Sequence, residues 1–258
     1  MISLKFPVKP KQLPLLIPIL GGLGLLLRLW LLSTADDKGL LKNWHISGIL
    51  LLLLSLGVLV LLFLTAPALG SGKLRYQRLF PASQQGAIGC LAGAVSLLLE
   101  AIGLLKADFS TMNLICGICG VLAAVSLVLL SHYRLNGRRP TLLLRSVVCL
   151  FLLLRMVAHY HVWSAQPQLP LYICQLLASV CLALACFHRT TFDLGHGNRP
   201  LFVLLNLAAV YVCCLSIASA DWLFYLCCGF WMYTELCTLR PLRKRPAQPE
   251  NTPAPEEE

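Results

Sequence analysis

The sequence predicts an all-α polytopic transmembrane helix bundle of about eight spans, with both termini in the cytoplasm. Three observations carry this. Of 258 residues, 58% are hydrophobic and only 12% are charged, against about 25% charged in an average soluble domain. The apolar residues are gathered into eight runs of roughly 20, the length that crosses a bilayer core. The basic residues between the runs alternate in abundance from one gap to the next. With a mean hydropathy of +0.77, the chain has too little polar surface to cover its apolar area in water, so the bilayer has to act as its solvent.

The first run is 13–32, behind the basic residues Lys5, Lys9 and Lys11. This start and the small residues Ser33-Thr34-Ala35 resemble a secretory leader, but the run is longer than a leader's apolar region and carries Arg28, so it reads as a retained span. The next spans are 46–66, 86–105, 111–130 and 141–160. The sixth, 171–187, is short. The seventh and eighth, 201–219 and 222–239, are separated by little more than Ala220 and Asp221, and a re-entrant pair is the alternative there. Pro81, Pro140 and Pro200 open the third, fifth and seventh spans. Proline suits a first helical turn, where its missing N–H would have no partner.

The charges set the orientation. The N-terminus, the second, fourth and sixth gaps and the C-terminal tail together hold fifteen Lys and Arg, among them Lys73, Arg134, Arg138, Arg139, Arg189 and Arg199. The opposite gaps hold Lys38, Lys42 and Lys106. Positive charge stays inside, so the fifteen mark the cytoplasm. Residues 1–239 form one transmembrane domain. Residues 240–258 begin with a juxtamembrane basic stretch and run into proline and glutamate, too poor in apolar groups to fold, and read as a disordered cytoplasmic tail. No gap is long enough for a cytosolic catalytic domain.

The net charge of +10 is spread over short clusters and is not a nucleic-acid footprint. It reads as a cationic rim facing anionic lipid headgroups. The expected partners are the bilayer itself, those headgroups, and a protein partner or a second copy; Gly89-x-x-x-Gly93 offers a close-packing face for helices within the chain or between chains. The twelve cysteines lie within apolar runs and read as free, small packing residues. Cys116-Gly117-Ile118-Cys119 lacks the second ligand pair of a zinc site. His159 and His161, two apart on a helix, point to different faces. No metal or cofactor is implied.

Ionisable residues inside a span are functional candidates by default. Arg28, Glu100 and Arg155 each fall fourteen or fifteen residues past the start of their spans, about 21–22 Å from the cytoplasmic surface at about 1.5 Å per residue. Asn113, Gln175, His159, Asp221 and Tyr225 reach the same outer level. One reading is an outward-facing site for a small anionic or zwitterionic ligand, since arginine grips carboxylate or phosphate through a planar fork. The other is an internal ion pair of Glu100 with Arg155 or Arg28. The second arginine keeps the ligand reading open, because one glutamate balances only one of them. Glu235, near the inner end of the last span, is expected beside headgroups or paired with a gap arginine.

The stretch His132-Tyr133-Arg134…Arg139-Pro140, Arg155, Trp163-Ser164…Pro167-Gln168…Tyr172, His188 and Phe192 resembles a group of uncharacterised multi-span proteins of clostridial-type bacteria. In that group an acidic residue stands where this chain has Gln166. The resemblance covers about a quarter of the chain. It implies a multi-pass protein of the bacterial cytoplasmic membrane and no particular activity. Function is therefore expected to be structural or accessory, regulating or assembling with a partner. The alternatives are a transporter or sensor using the Arg/Glu level and, behind it, a membrane-embedded lipid-modifying enzyme. The last has no evident nucleophile–base pair.

Overall fold

The computed structural model describes residues 12–34, 45–66, 73–74, 79–106, 110–164 and 169–239, with 73–74 and 169–171 given by backbone alone. The expectations for the N-terminal lysines, Lys38, Lys42, Arg75, Arg78, the 165–168 connection and the tail lie outside the described residues.

Among the described residues there are eight helices: α1 Leu13–Ser33, α2 Ile46–Thr65, α3 Gln84–Lys106, α4 Thr111–Leu135, α5 Leu142–Ser164, α6 Leu169–Thr191, α7 Arg199–Ser216 and α8 Trp222–Cys237. Six of them close a ring. Each of α3 to α8 packs on the next, and α8 packs back on α3. α1 docks on α7, and α2 packs on α1 and more lightly on α7. Two two-residue strands, β1 (Lys73–Leu74) and β2 (Gly197–Asn198), pair antiparallel and tie the second and sixth connections together. The start of α1, the two strands and the α4–α5 turn lie at one end of the bundle, here the basic end. The C-terminal ends of α1, α3, α5 and α7 lie at the far end.

Leucine, valine and phenylalanine side chains such as Leu52, Leu56, Phe63, Leu122 and Val125 point outward from the bundle. An apolar exterior of this kind is stable only in lipid. Among the described residues, seven helices are long and apolar enough to cross a membrane. The eighth, α8, has 16 residues, about 24 Å at the usual rise. It carries Asp221 at one end of the bundle and Glu235 at the other, so it traverses the ring as one continuous helix antiparallel to α7. One face of α8 is buried in the ring through Tyr225, Cys228, Trp231 and Glu235, while Trp222, Leu226 and Phe230 point outward.

Small residues set the close packing. The buried stripe of α3 includes Gly86, Gly89, Gly93 and Ala94, which lets backbones approach. This close-packing face is used within the chain. A Cβ on Gly89 would collide with Thr234 of α8, and one on Gly93 would lie 3.2 Å from Trp231 and Leu127. On α1, a Cβ at Gly21 would meet Cys214 at 2.8 Å and one at Gly24 would meet Leu215 at 2.5 Å, both on α7. Overpacking of such a contact costs about 1–3 kcal/mol. Gly89→Ala is therefore expected to lower the thermal midpoint in mild detergent. An unchanged midpoint would mean that α3 and α8 are not held at this distance.

Three helices run about a turn past their predicted ends. α4 continues to Leu135, α5 to Ser164 and α6 to Thr191. Arg134 and Arg189 thus sit in last helical turns, on buried faces, and not in free connections.

Candidate functional site

At the far end, α3, α5, α6 and α8 bring a charged network together around Arg155, which is 1% exposed. Its Nε donates to Glu100 Oε1 at 2.8 Å, and its Nη2 donates to Asp221 Oδ2 at 3.2 Å. Its Nη1 reaches Ser179 Oγ at 3.5 Å and Tyr225 Oη at 3.4 Å. The guanidinium lies 3.8 Å from the centroid of the Phe224 ring, a cation–π contact. His159, one turn beyond Arg155 on α5, donates from Nε2 to the same Glu100 oxygen at 2.9 Å. The deep arginine is thus met by two carboxylates and an aromatic face.

The ligand atoms of Glu100, His159 and Asp221 lie within 4.8 Å of one another, close enough to be considered for a cation. The Arg155 guanidinium already bonds both carboxylates at that position. A divalent ion would have to displace it.

Arg28 stands apart. It is buried on α1 and donates from Nη1 to the Leu215 carbonyl of α7 at 2.6 Å. The predicted level is therefore split. Glu100 pairs with Arg155, and the second arginine faces a different space. That space is a chamber of about 380 Å³ at the far end, lined by Arg28, His159, Trp163, Tyr172, Gln175 and Asp221, among others. Trp163 and Tyr172 stack at 5.3 Å between centroids, and His159 leans on Trp163 at 5.2 Å. A second cavity, about 340 Å³, lies on the opposite side of the network, against Glu100, His159, Asp221 and Phe224. Of the residues expected at this level, Glu100, Arg155, His159 and Asp221 join one network. Arg28 and Gln175 line the chamber beside it. Asn113 lies at the start of α4 and lines neither cavity.

No family model, curated protein or solved structure matches the chain. The site is therefore read from its own geometry.

The basic end holds a second network, of which sequence reasoning anticipated only the pairing of Glu235 with a gap arginine. Glu235 is fully buried. Its Oε2 accepts from Arg134 Nη2 at 3.3 Å, its Oε1 lies 2.8 Å from Arg189 Nη2, and Cys90 Sγ lies 3.5 Å from the same Oε1. Arg134 also donates to Thr238 Oγ1 at 2.7 Å and to the Pro81 carbonyl at 3.0 Å. Gly86 makes this reach possible, since a Cβ there would sit 2.8 Å from Arg134 Nε. The Phe80 ring lies under both guanidiniums, 4.9 Å from that of Arg134 and 5.6 Å from that of Arg189. Arg145 on α5, which the charge count passed over, donates to Asp193 Oδ2 at 2.6 Å. Its signal in the sequence was a cation lying inside a span with Glu235 at a matching depth in another. These inward-turned arginines do not face headgroups. Arg138 and Arg139 are exposed.

Asp193 lies in the connection between α6 and β2. Burial pushes its carboxyl above the usual value of 3.8, and the nearby Arg145 offsets this only in part. A raised folded-state value means that the group's contribution to stability is present below the ordinary value and is lost as pH rises through the folded one. Relative to Asp193→Asn, the wild type is expected to lose stability as the pH climbs from about 4. Parallel pH–stability curves for the two proteins would contradict this.

Proposed function

We propose that this is a ligand-binding membrane bundle of the sensor or receptor type, recognising an anionic or zwitterionic group in the far-end chamber. The observation that carries the reading is the placement of opposite charges around one cavity: the buried Arg28 lines it from α1, and Asp221 with His159 lines it from α5 and the α7–α8 turn. A phosphate or carboxylate on a ligand would meet the guanidinium, which binds such groups through paired N–H donors, and a ligand amine would meet Asp221. Binding is favoured over carriage through the bundle because the interior between the two networks is filled. Leu97, Leu127, Phe151, Leu182, Cys228 and Trp231 occupy it, all buried. In this reading the basic end faces the cytoplasm, and the protein resides in the bacterial cytoplasmic membrane.

A second reading, an accessory bundle that serves a partner, draws on one observation. Arg155, the arginine first counted towards a ligand, is taken up by Glu100 and Asp221. The two readings part in a thermal-shift experiment on detergent-solubilised wild type and Arg28→Gln, using phosphoethanolamine, glycerol phosphate, amino acids and dicarboxylates. A ligand at about 100 times its dissociation constant stabilises the folded form by about 2.7 kcal/mol. The binding reading expects at least one compound to raise the wild-type midpoint and leave Arg28→Gln unmoved. If every compound acts equally on both proteins, or on neither, the accessory reading takes its place.

A further inference from the structure

The chamber does not end at Arg28. Arg28 and Leu32 also line a larger cavity of about 550 Å³. This one is a groove between α2 and α6. α7 forms its floor through Ala208, Tyr211 and Leu215, and α6 contributes Ile173, Leu177 and Cys181. Along α2 the lining runs from Gly48 to Leu62, about 21 Å at 1.5 Å per residue. The lining is apolar but for Arg28 at the far-end mouth and Ser55, whose Oγ pairs with Tyr211 Oη at 2.9 Å.

We propose that this groove holds an acyl chain of a membrane phospholipid whose phosphate sits against Arg28 in the chamber. The inference rests on the chamber reading and names its ligand. Three physical points carry it. An apolar cavity of this size does not hold water well, and apolar molecules fill such spaces when they can enter. Lipid chains are the apolar molecules at hand between two membrane helices. The length fits as well: one leaflet is about 15 Å deep, half of a core about 30 Å thick, and the groove accommodates a chain of that reach descending from the far-end surface. Charge places the headgroup. Arg28, held by its hydrogen bond to the Leu215 carbonyl, stands where the groove meets the chamber, the position at which an acyl chain gives way to a phosphate.

The test uses the full-length protein in phosphatidylcholine vesicles doped with a phospholipid carrying a diazirine near the end of one acyl chain. Cross-links are mapped by peptide mass spectrometry. Labelling is expected to concentrate on the α6 and α7 groove residues, well above the lipid-facing Leu122 and Val125 of α4. Arg28→Gln is expected to reduce groove labelling about tenfold, the equivalent of one charge-assisted contact, and Arg28→Lys to keep most of it. Leu177→Trp, at a half-exposed position, fills the groove and is expected to abolish groove labelling while leaving the α4 labels unchanged. Equal labelling of the groove and the α4 face overturns the proposal, as does groove labelling indifferent to both Arg28→Gln and Leu177→Trp. A concentration-dependent dimer that Leu177→Trp abolishes would assign the groove to a second copy and also overturn it. If glycerol phosphate or phosphoethanolamine protects wild type but not Arg28→Gln while the groove stays unlabelled, the lipid inference falls and the chamber reading stands. If neither is seen, both fall.

Discussion

Replacing Glu235 with glutamine is expected to destabilise the detergent-solubilised protein by about 3–5 kcal/mol, the usual cost of removing one partner from a buried ion pair. Glu235 is fully buried and is the carboxylate shared by Arg134 and Arg189, whose side chains are 1% and 7% exposed. Its removal leaves two guanidiniums converging on a neutral amide. Wild type and variant are compared by denaturant titration, read through tryptophan fluorescence. Replacing all three residues with leucine is expected to recover much of the loss, because a buried ionic group and an apolar one of similar volume differ far less than a complete and a broken pair do. A Glu235→Gln variant as stable as wild type would show that this network does not hold α4, α6 and α8 together.

Arg155→Ala carries the second large effect, again about 3–5 kcal/mol. It strands Glu100 and Asp221 together and empties the space over Phe224. Arg155→Lys is expected to restore less than half of the loss. Arginine serves Glu100 from Nε and Asp221 from Nη2 at once, and a single ammonium lacks that fork. Glu100→Gln is expected to cost less than Arg155→Ala, since Asp221 still pairs with the guanidinium and Glu100 is partly exposed. Full rescue by lysine would mean that charge alone matters there and that the planar geometry does not.

The two networks bind the ring at both ends. At the far end Arg155 links α5 to Glu100 of α3 and Asp221 at the head of α8. At the basic end Glu235 links α8 to Arg134 of α4 and Arg189 of α6. α8, 16 residues long, takes part in both. α1 and α2 belong to neither network. The groove lies along this hairpin.

What the sequence determined by itself is what depends on composition and period. Runs of apolar residues about as long as the bilayer core is thick fixed the class and the placement of the helices, and the alternation of Lys and Arg ordered the gaps. Both are local, one-dimensional signals. They also put Arg28, Glu100, Arg155, His159 and Asp221 at one depth, because depth along a helix follows from residue number alone. Which of these meet was decided only by the tertiary structure. Pairing depends on the rotation of each helix about its axis and on its neighbours, and neither is written in a hydropathy pattern. Ring closure of α8 on α3 gave Arg155 to Glu100 and Asp221, while docking of α1 on α7 carried Arg28 away to a chamber and groove of its own. The same holds at the basic end. Arg134 and Arg189 count as topology signals in the sequence, but one extra turn of helix on α4 and on α6 turns them inward onto Glu235.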